Sequence, residues 1–337
     1  MAFLIQACAV NPVKPLQNDT QNNLQNDPLI GKIFNTATAK TMDFNTLVAN
    51  LLSADVIYLS EKHDNPDHHA LQKKIIKALI AKGKTPQLGF EFFEKNDTPL
   101  LLNFVDSNKA KHSKATEKEV EKLLRKKLGW EGKSAKLWPF YFNLLSLAKN
   151  ENLVAAGLDL SDSQKLRITR KGYDNLTNLE KKLIFSTGFN SKTYRDYMYE
   201  IFEKVHCGMK NPTMQSRLFD SWLARNDTMA NSIVELHETE PHKPVVVIIG
   251  GGHTEHNLGV IDRVRSLNPS ISQVNIGFVE VTINPSELYK YIKPLELTGF
   301  KAAPSFDYIL FTRRTSYQDP CEQFKAQLKK SRLHGQD

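Results

Sequence analysis

Short runs of consecutive apolar residues alternate with stretches of helical periodicity along this chain, and that alternation predicts an α/β fold. The segment "ADVIYLS" (54–60) is apolar, β-branched or aromatic at nearly every position, the pattern of a strand covered on both faces. Similar runs recur at "QLGFEFF" (87–93), "LVAAGLD" (153–159), "PVVVIIG" (244–250), "VNIGFVEV" (274–281) and "FDYILFT" (306–312). Helical patterns separate most of them, so the sheet is expected to be mainly parallel and flanked by helices. Ahead of the first run, "KIFNTATAKTM" (32–42) predicts a short strand or hairpin and 44–52 a helix, with Asp43 as its N-cap.

Two long stretches, about 97–150 and 161–238, are helical in pattern and poor in strands. They read as helical insertions that form a subdomain capping the sheet. The α/β domain is expected over 30–318, followed by a tail at 319–337. Residues 1–29 stand apart. "MAFLIQAC" is a brief apolar stretch ending in Ala7–Cys8, and the Asn/Gln-rich polar segment after it has no periodicity, as in a disordered linker. A small residue before Cys resembles the lipidation site of a bacterial lipoprotein. The stretch lacks a basic n-region and is shorter than a signal h-region, so either the start lies upstream of Met1 or the match is accidental.

Candidate chemistry gathers where the predicted strands end. After strand 54–60 comes "SEKHDNPDHHALQ", in which Asn65–Pro66 has the form of an N-cap followed by Pro at the first helical position. On that helix His68 falls within the apolar stripe beside Gln72, pointing towards the sheet next to Glu61 and His63, while His69 lies at the stripe's edge. Asp64 and Asp67 complement the helix dipole. Strand 87–93 carries Glu91 inside an apolar run, with Glu94 just after it; a carboxylate buried there is costly unless paired or coordinated. Strand 153–159 ends in Asp159. Strand 244–250 leads into "GGGHTEH", which brings His253, Glu255 and His256 to the same edge. In open α/β sheets ligands bind beyond the carboxyl ends of the strands. The expected pocket is Glu61, His63, Glu91 and His253, with His68 or His69 behind them. The Gly-rich turn fails G-x-G-x-x-G and carries no Walker Lys, so it is not read as a nucleotide site.

Charge and composition narrow the classes. The net charge is +8, and much of the excess lies at 107–136, "SNKAKHSKATEKEVEKLLRKKLGWEGKSAK". That run has the form of a solvated helix face, and no zinc-finger, RNP-like or helix-turn-helix signature accompanies it, so nucleic acid is not an expected partner. No apolar run approaches the length of a membrane span. Three cysteines (Cys8, Cys207, Cys321) exclude a multi-bridge framework and a Cys-rich metal site. In an oxidising compartment Cys207 and Cys321 are candidates to pair, although nothing in the sequence shows that they meet.

The motifs "YLSEKHDNPDHHALQ", "GFEFFEKND", "LGWEGKSAKLWPFYFNLLSLAKNENLVAAGLD", "RNDTMA" and "VVVIIGGGHTEHNLGV", in this order, resemble the ChaN family of the Tiki/TraB/EreA-like superfamily over about residues 47–282. Members typically have Gly where this chain has Ser60, so the turn before His63 is expected to be altered. The resemblance implies an α/β fold with a helical subdomain. For ChaN-like members it implies envelope lipoproteins with haem binding and iron acquisition; for Tiki-like and EreA-like relatives it implies metal-dependent proteolysis and ester hydrolysis. On matching positions it carries over Glu61, His63, Glu91 and His253.

Three functional readings follow. A haem-binding envelope protein needs apolar and aromatic walls and an axial side chain. The helix at 192–209 offers Tyr194, Tyr197, Tyr199, His206 and Met209, although Tyr194, Tyr197, Met198, Ile201 and Val205 also form an ordinary core stripe. With no C-x-x-C-H, haem attachment would be non-covalent. A homodimer that packs the cofactor between subunits fits this reading. A hydrolase acting on a small molecule or peptide would use His63 and His253 for a divalent metal, and Glu61 or Glu91 as general base. A non-catalytic interaction protein would dock through 107–136.

Overall fold

The computed structural model describes residues 25–106, 116–133, 135–208, 210–282, 287–319 and 321–322. Cys8 and its flanking segment, part of the basic run, Met209 and most of the C-terminal tail lie outside the described residues. Eight strands form one sheet: β1 (Ile33–Asn35), β2 (Lys40–Met42), β3 (Val56–Glu61), β4 (Gln87–Glu94), β5 (Ala155–Asp159), β6 (Val245–Gly250), β7 (Gln273–Glu280) and β8 (Tyr308–Thr312). Their order is β2-β1-β8-β7-β3-β6-β4-β5. The six strands from β8 to β5 run parallel, and the β1–β2 hairpin adds antiparallel to β8. The fold is α/β, as the hydrophobic pattern predicts.

β3 and β6 are buried at every position because helices cover both faces of the sheet. On one face, Ile57 and Leu59 of β3 and Ile248 of β6 pack against helices α1 (Phe44–Leu51), α2 (Pro66–Ala81), α3 (Thr98–Val105), α4 (Glu117–Lys127) and α5 (Trp138–Asn150). On the other, Val56, Tyr58, Val245 and Val247 meet Met229, Ala230 and Ile233 of the 28-residue helix α9 (Pro212–Thr239), together with α10 (Val260–Leu267). The helix starts follow the sequence: Asp43 Oδ1 accepts from Thr46 N at 2.8 Å, and Asn65 Oδ1 accepts from Asp67 N at 2.9 Å ahead of Pro66.

The expected cap divides in two. The stretch 97–150 packs as a layer on the sheet, because Leu101, Val105, Leu124, Trp138 and Tyr141 turn their apolar faces into the main core. Only the second stretch projects beyond the sheet. Helices α6 (Asp162–Lys171), α7 (Asn178–Ile184) and α8 (Lys192–Val205) gather around the N-terminal half of α9, where Leu218, Phe219, Trp222 and Leu223 form a separate core with Tyr194, Met198 and Phe202. A disulfide joins Cys207, just after α8, to Cys321, with Cα atoms 5.5 Å apart. The single bridge is compatible with the exclusion of a multi-bridge framework and answers whether these two cysteines meet.

Candidate functional site

Adjacent strands place the polar groups. β3, β6, β4 and β5 are neighbours in the sheet, and Glu61 pairs with Gly250 while Glu94 pairs with Asp159. Their carboxyl ends therefore line up Glu61, the Gly250–His253 turn, Glu91 and Asp159 in sheet order. Glu61 shares a face with Ile57 and Leu59, beneath α2 and α5, and Glu91 reaches Arg225 of α9, with His63 near both carboxylates.

Beneath α2 and α5, Glu61 is the hub. Its carboxylate accepts from Tyr141 Oη at 2.7 Å and from Gln72 Nε2 at 2.7 Å, and it meets His63 Nδ1 at 3.2 Å and His69 Nδ1 at 3.0 Å. His69 Nε2 donates to the His63 carbonyl at 2.9 Å. Both ring nitrogens of His69 thus face oxygens, which clamps the ring against Glu61. His68 does not join them. Its Nδ1 accepts from the Lys62 N–H at 2.9 Å, and Nε2 then carries the proton donated to Thr312 Oγ1 at 2.9 Å. Burial, with His69, Lys62 and His63 close by, pushes the His68 imidazole well below its ordinary range, in keeping with that neutral tautomer. The helical stripe correctly turns His68 towards the sheet, but its partners belong to β8 and the loop after β3, so it ties the fold rather than the pocket.

Towards α9, Glu91 Oε2 accepts from Gly250 N at 2.7 Å and Oε1 from Arg225 Nη2 at 2.7 Å. Arg225 Nε also reaches Asp159 Oδ2 at 2.9 Å, and Lys165 Nζ lies 3.2 Å from the same oxygen. Burial alone would raise the Glu91 carboxyl, but His253, Arg225 and His63 around it hold it well below the ordinary carboxylate range. The stability this ionisation confers is complete above the ordinary carboxylate pKa and is lost as pH falls through the depressed folded value. His253 Nδ1 is 2.7 Å from Asn226 Oδ1, and Asn226 Nδ2 donates to the Trp222 carbonyl, which fixes the amide's orientation. The proton therefore sits on Nδ1. Burial pushes this imidazole below its ordinary range, although Glu91, whose Oε1 lies 3.4 Å from Nε2, acts to raise it. Trp222 stacks on the other side of the ring, with centroids 4.1 Å apart.

The two clusters meet at Gly250. A Cβ there would lie 2.5 Å from His63 Cε1 and 3.3 Å from Glu91 Oε2, so only glycine lets His63 approach β6. Gly250→Ala is expected to displace His63 and to cost about 1–3 kcal/mol of overpacking, read as a lower denaturant midpoint with an unchanged slope. A wild-type midpoint would contradict the close approach. Ser60, where a turn distorted by departure from Gly was expected, is accommodated: its hydroxyl bonds Thr254 Oγ1 at 2.7 Å and Asn275 Oδ1 at 3.0 Å.

The expected pocket residues are thus brought close, but into a buried network that is largely satisfied from within. Among the described residues no group of three or more His, Cys, Asp or Glu side chains is arranged to hold a metal ion. The open concavity lies next to the network, behind Trp222. Tyr194, Tyr197, Met198 and Ile201 of α8, Trp222 of α9, and Gly252, Glu255 and Leu258 line a narrow cleft. Tyr194 Oη accepts from Trp222 Nε1 at 2.8 Å. Tyr197 and Glu255 have no hydrogen-bond partner among the described residues, and burial pushes the Glu255 carboxyl up to about 7. Burial, then the Glu255 charge, raises the Tyr197 phenol. The helical stripe at 192–205 is therefore half core, as Tyr194 and Met198 show, and half cleft wall. His206 turns back, its Nδ1 2.7 Å from the Phe202 carbonyl.

A raised carboxyl keeps its proton in the folded state at pH values where the unfolded chain has lost it. Glu255 thus erodes stability as pH rises from about 4.5 to about 7. Glu255→Gln is expected to remove that slope and to be more stable than wild type at pH 8, in urea melts across the range. Parallel pH curves for the two proteins would refute it.

Comparison with known proteins bears on the site at this point. The family model described as haem-binding uptake, Tiki superfamily, ChaN matches residues 47–264. The chain belongs to this family. Among solved structures, the one titled cofacial heme binding to ChaN of Campylobacter jejuni superposes with a TM-score of 0.61 at 19% identity, covering 82% of this chain and 95% of that one. That likeness shows the shared fold of a ChaN-family member. An erythromycin esterase mutant, EreC, gives a TM-score of 0.42 at 11% identity over 81% of this chain and 82% of its own. A Bacillus cereus protein gives 0.46 at 11% identity over 81% and 92%. No curated protein matches the chain.

Proposed function

We propose that this protein binds haem reversibly in the cleft between α8, α9 and the Gly251–Leu258 turn, on the outer side of the cytoplasmic membrane, in service of haem or iron acquisition. The single observation that carries the reading is the cleft's chemistry: aromatic and apolar walls around one phenol and one carboxyl whose side chains have no hydrogen-bond partner among the described residues. A porphyrin takes such walls, and its ferric iron takes a tyrosine oxygen. Tyr197 is the side chain we assign to the iron, with Glu255 beside it to accept the phenol's hydrogen. When bound, the group supplies a Lewis-acidic iron and redox chemistry; the chain's own residues seat the ring against Trp222, Met198 and Ile201 and exclude water from its inner face. An open cleft covers one face of a flat ring, which suits the cofacial arrangement named for the C. jejuni protein. Family membership supports the ligand, and the Cys207–Cys321 disulfide supports an oxidising compartment. Acylation of Cys8 would anchor the chain there.

The second reading, hydrolysis, rests on His253: a buried imidazole with its Nδ1 held by Asn226 and its Nε2 3.4 Å from the Glu91 carboxylate. An absorbance spectrum and metal analysis of the purified protein, before and after hemin, separate the two. Haem binding gives a shifted, saturable Soret band. A divalent ion with esterase or peptidase activity and no Soret change would install the hydrolase instead.

A further inference from the structure

We infer that the Cys207–Cys321 disulfide is a redox clasp on the cleft: a dithiol reductant that exchanges into it loosens the wall formed by α8 and with it the hold on the ligand. The ligand part of this inference rests on the haem reading; the loosening of the wall does not. α8 supplies half of the cleft lining, through Tyr194, Tyr197, Met198 and Ile201. It lies outside the two cores that sandwich the sheet. Its buried residues, Tyr194, Met198 and Phe202, pack on Leu218, Phe219 and Trp222 of α9 and on Leu295, Leu297 and Phe300 from the stretch ahead of β8.

The backbone at its end is poised to move. Cys207 has φ 61° and Gly208 φ 80°, two successive left-handed residues that reverse the chain directly after the helix. A side-chain-bearing residue holds that conformation at a conformational cost, and the crosslink constrains it. Cys321 follows β8, which lies inside the sheet between β1 and β7. The bond therefore ties the end of a peripheral helix to the segment that follows a strand of the central layer, across 114 residues of sequence, a span over which a crosslink restricts the open chain strongly. Both cysteines are half-buried rather than enclosed, so an attacking thiolate reaches them.

The exchange balances without further reagents. One thiolate of the dithiol attacks either sulfur and forms a mixed disulfide, and the other cysteine leaves as a thiolate and takes a proton. The reductant's second thiol then displaces the remaining cysteine. Two electrons and two protons pass to Cys207 and Cys321, and the reductant ends as a disulfide.

The test uses the full chain in three forms: oxidised, reduced with dithiothreitol and then trapped with iodoacetamide, and Cys321→Ser. Hydrogen exchange of the 192–208 backbone is measured without ligand, and hemin affinity by Soret titration after the reductant is removed. Expected are faster exchange across α8 in both opened forms, with exchange in β3 and β6 unchanged, and a Kd raised about tenfold, the change that follows if the competent cleft falls to roughly a tenth of the molecules. Equal exchange in all three forms overturns the clasp. Faster exchange with equal hemin affinity overturns its control of the ligand. Should the oxidised protein bind no hemin, the haem reading fails, and the exchange comparison still decides whether the disulfide holds the wall.

Discussion

Arg225→Met is expected to lower unfolding stability by about 3–5 kcal/mol, because it strands two buried carboxylates. Glu91 and Asp159 have side chains only 3% and 2% exposed, and Arg225 spans them with one guanidinium. Gly250 N–H still serves Glu91 and Lys165 still serves Asp159 after the substitution, but neither replaces the charge between them. The thermal midpoint should fall by roughly 6–20 °C. Adding Glu91→Gln to Arg225→Met should recover part of the loss, since the uncompensated charge is then gone. A melting curve within about 2 °C of wild type for Arg225→Met would mean the network contributes no net stability.

The second large effect concerns the ligand. Ile201→Trp puts an indole into the cleft from α8, where Ile201 is half-buried at the margin of the core around Trp222. Hemin affinity should drop by more than about tenfold, equivalent to roughly 1.4 kcal/mol, while the melting temperature stays close to that of wild type. Tyr197→Phe should leave the cleft's shape intact and change the position of the bound Soret band. Loss of binding with an unfolded variant would be uninformative about the cleft, so near-ultraviolet circular dichroism accompanies the titration. An Ile201→Trp protein that is folded and binds hemin like wild type would move the site elsewhere.

Much of the frame was legible because buried parallel strands leave a plain mark. The apolar runs located β3 to β8 within a residue or two, and the rule that ligands gather at strand carboxyl ends pointed to the residues that do converge there. Two things hid the rest. The first is local register. Where the Glu91 carboxylate points depends on how β4 meets β6 and on the irregular register between Phe90 and Glu94.

The second is distance along the chain. Arg225 was visible only as part of "RNDTMA", and its partners lie 134 and 66 residues away. Cys207 and Cys321 pose the same problem. The cleft was half visible: the stripe on α8 has core spacing, and core spacing does not say which of its tyrosines ends in a wall. Glu255 carried the best available signal. It is a carboxylate in a turn whose neighbours are Gly, His and Thr, with no cation nearby in sequence to pair with it.

The most direct measurement is a hemin titration of the full-length oxidised protein, followed at the Soret band beside the folded Ile201→Trp variant. Haem binding in the cleft requires a band that shifts and saturates at a fixed stoichiometry in the wild type and does not saturate over the same range in the variant. A wild-type spectrum that remains that of free hemin, or two titrations that coincide, would contradict it.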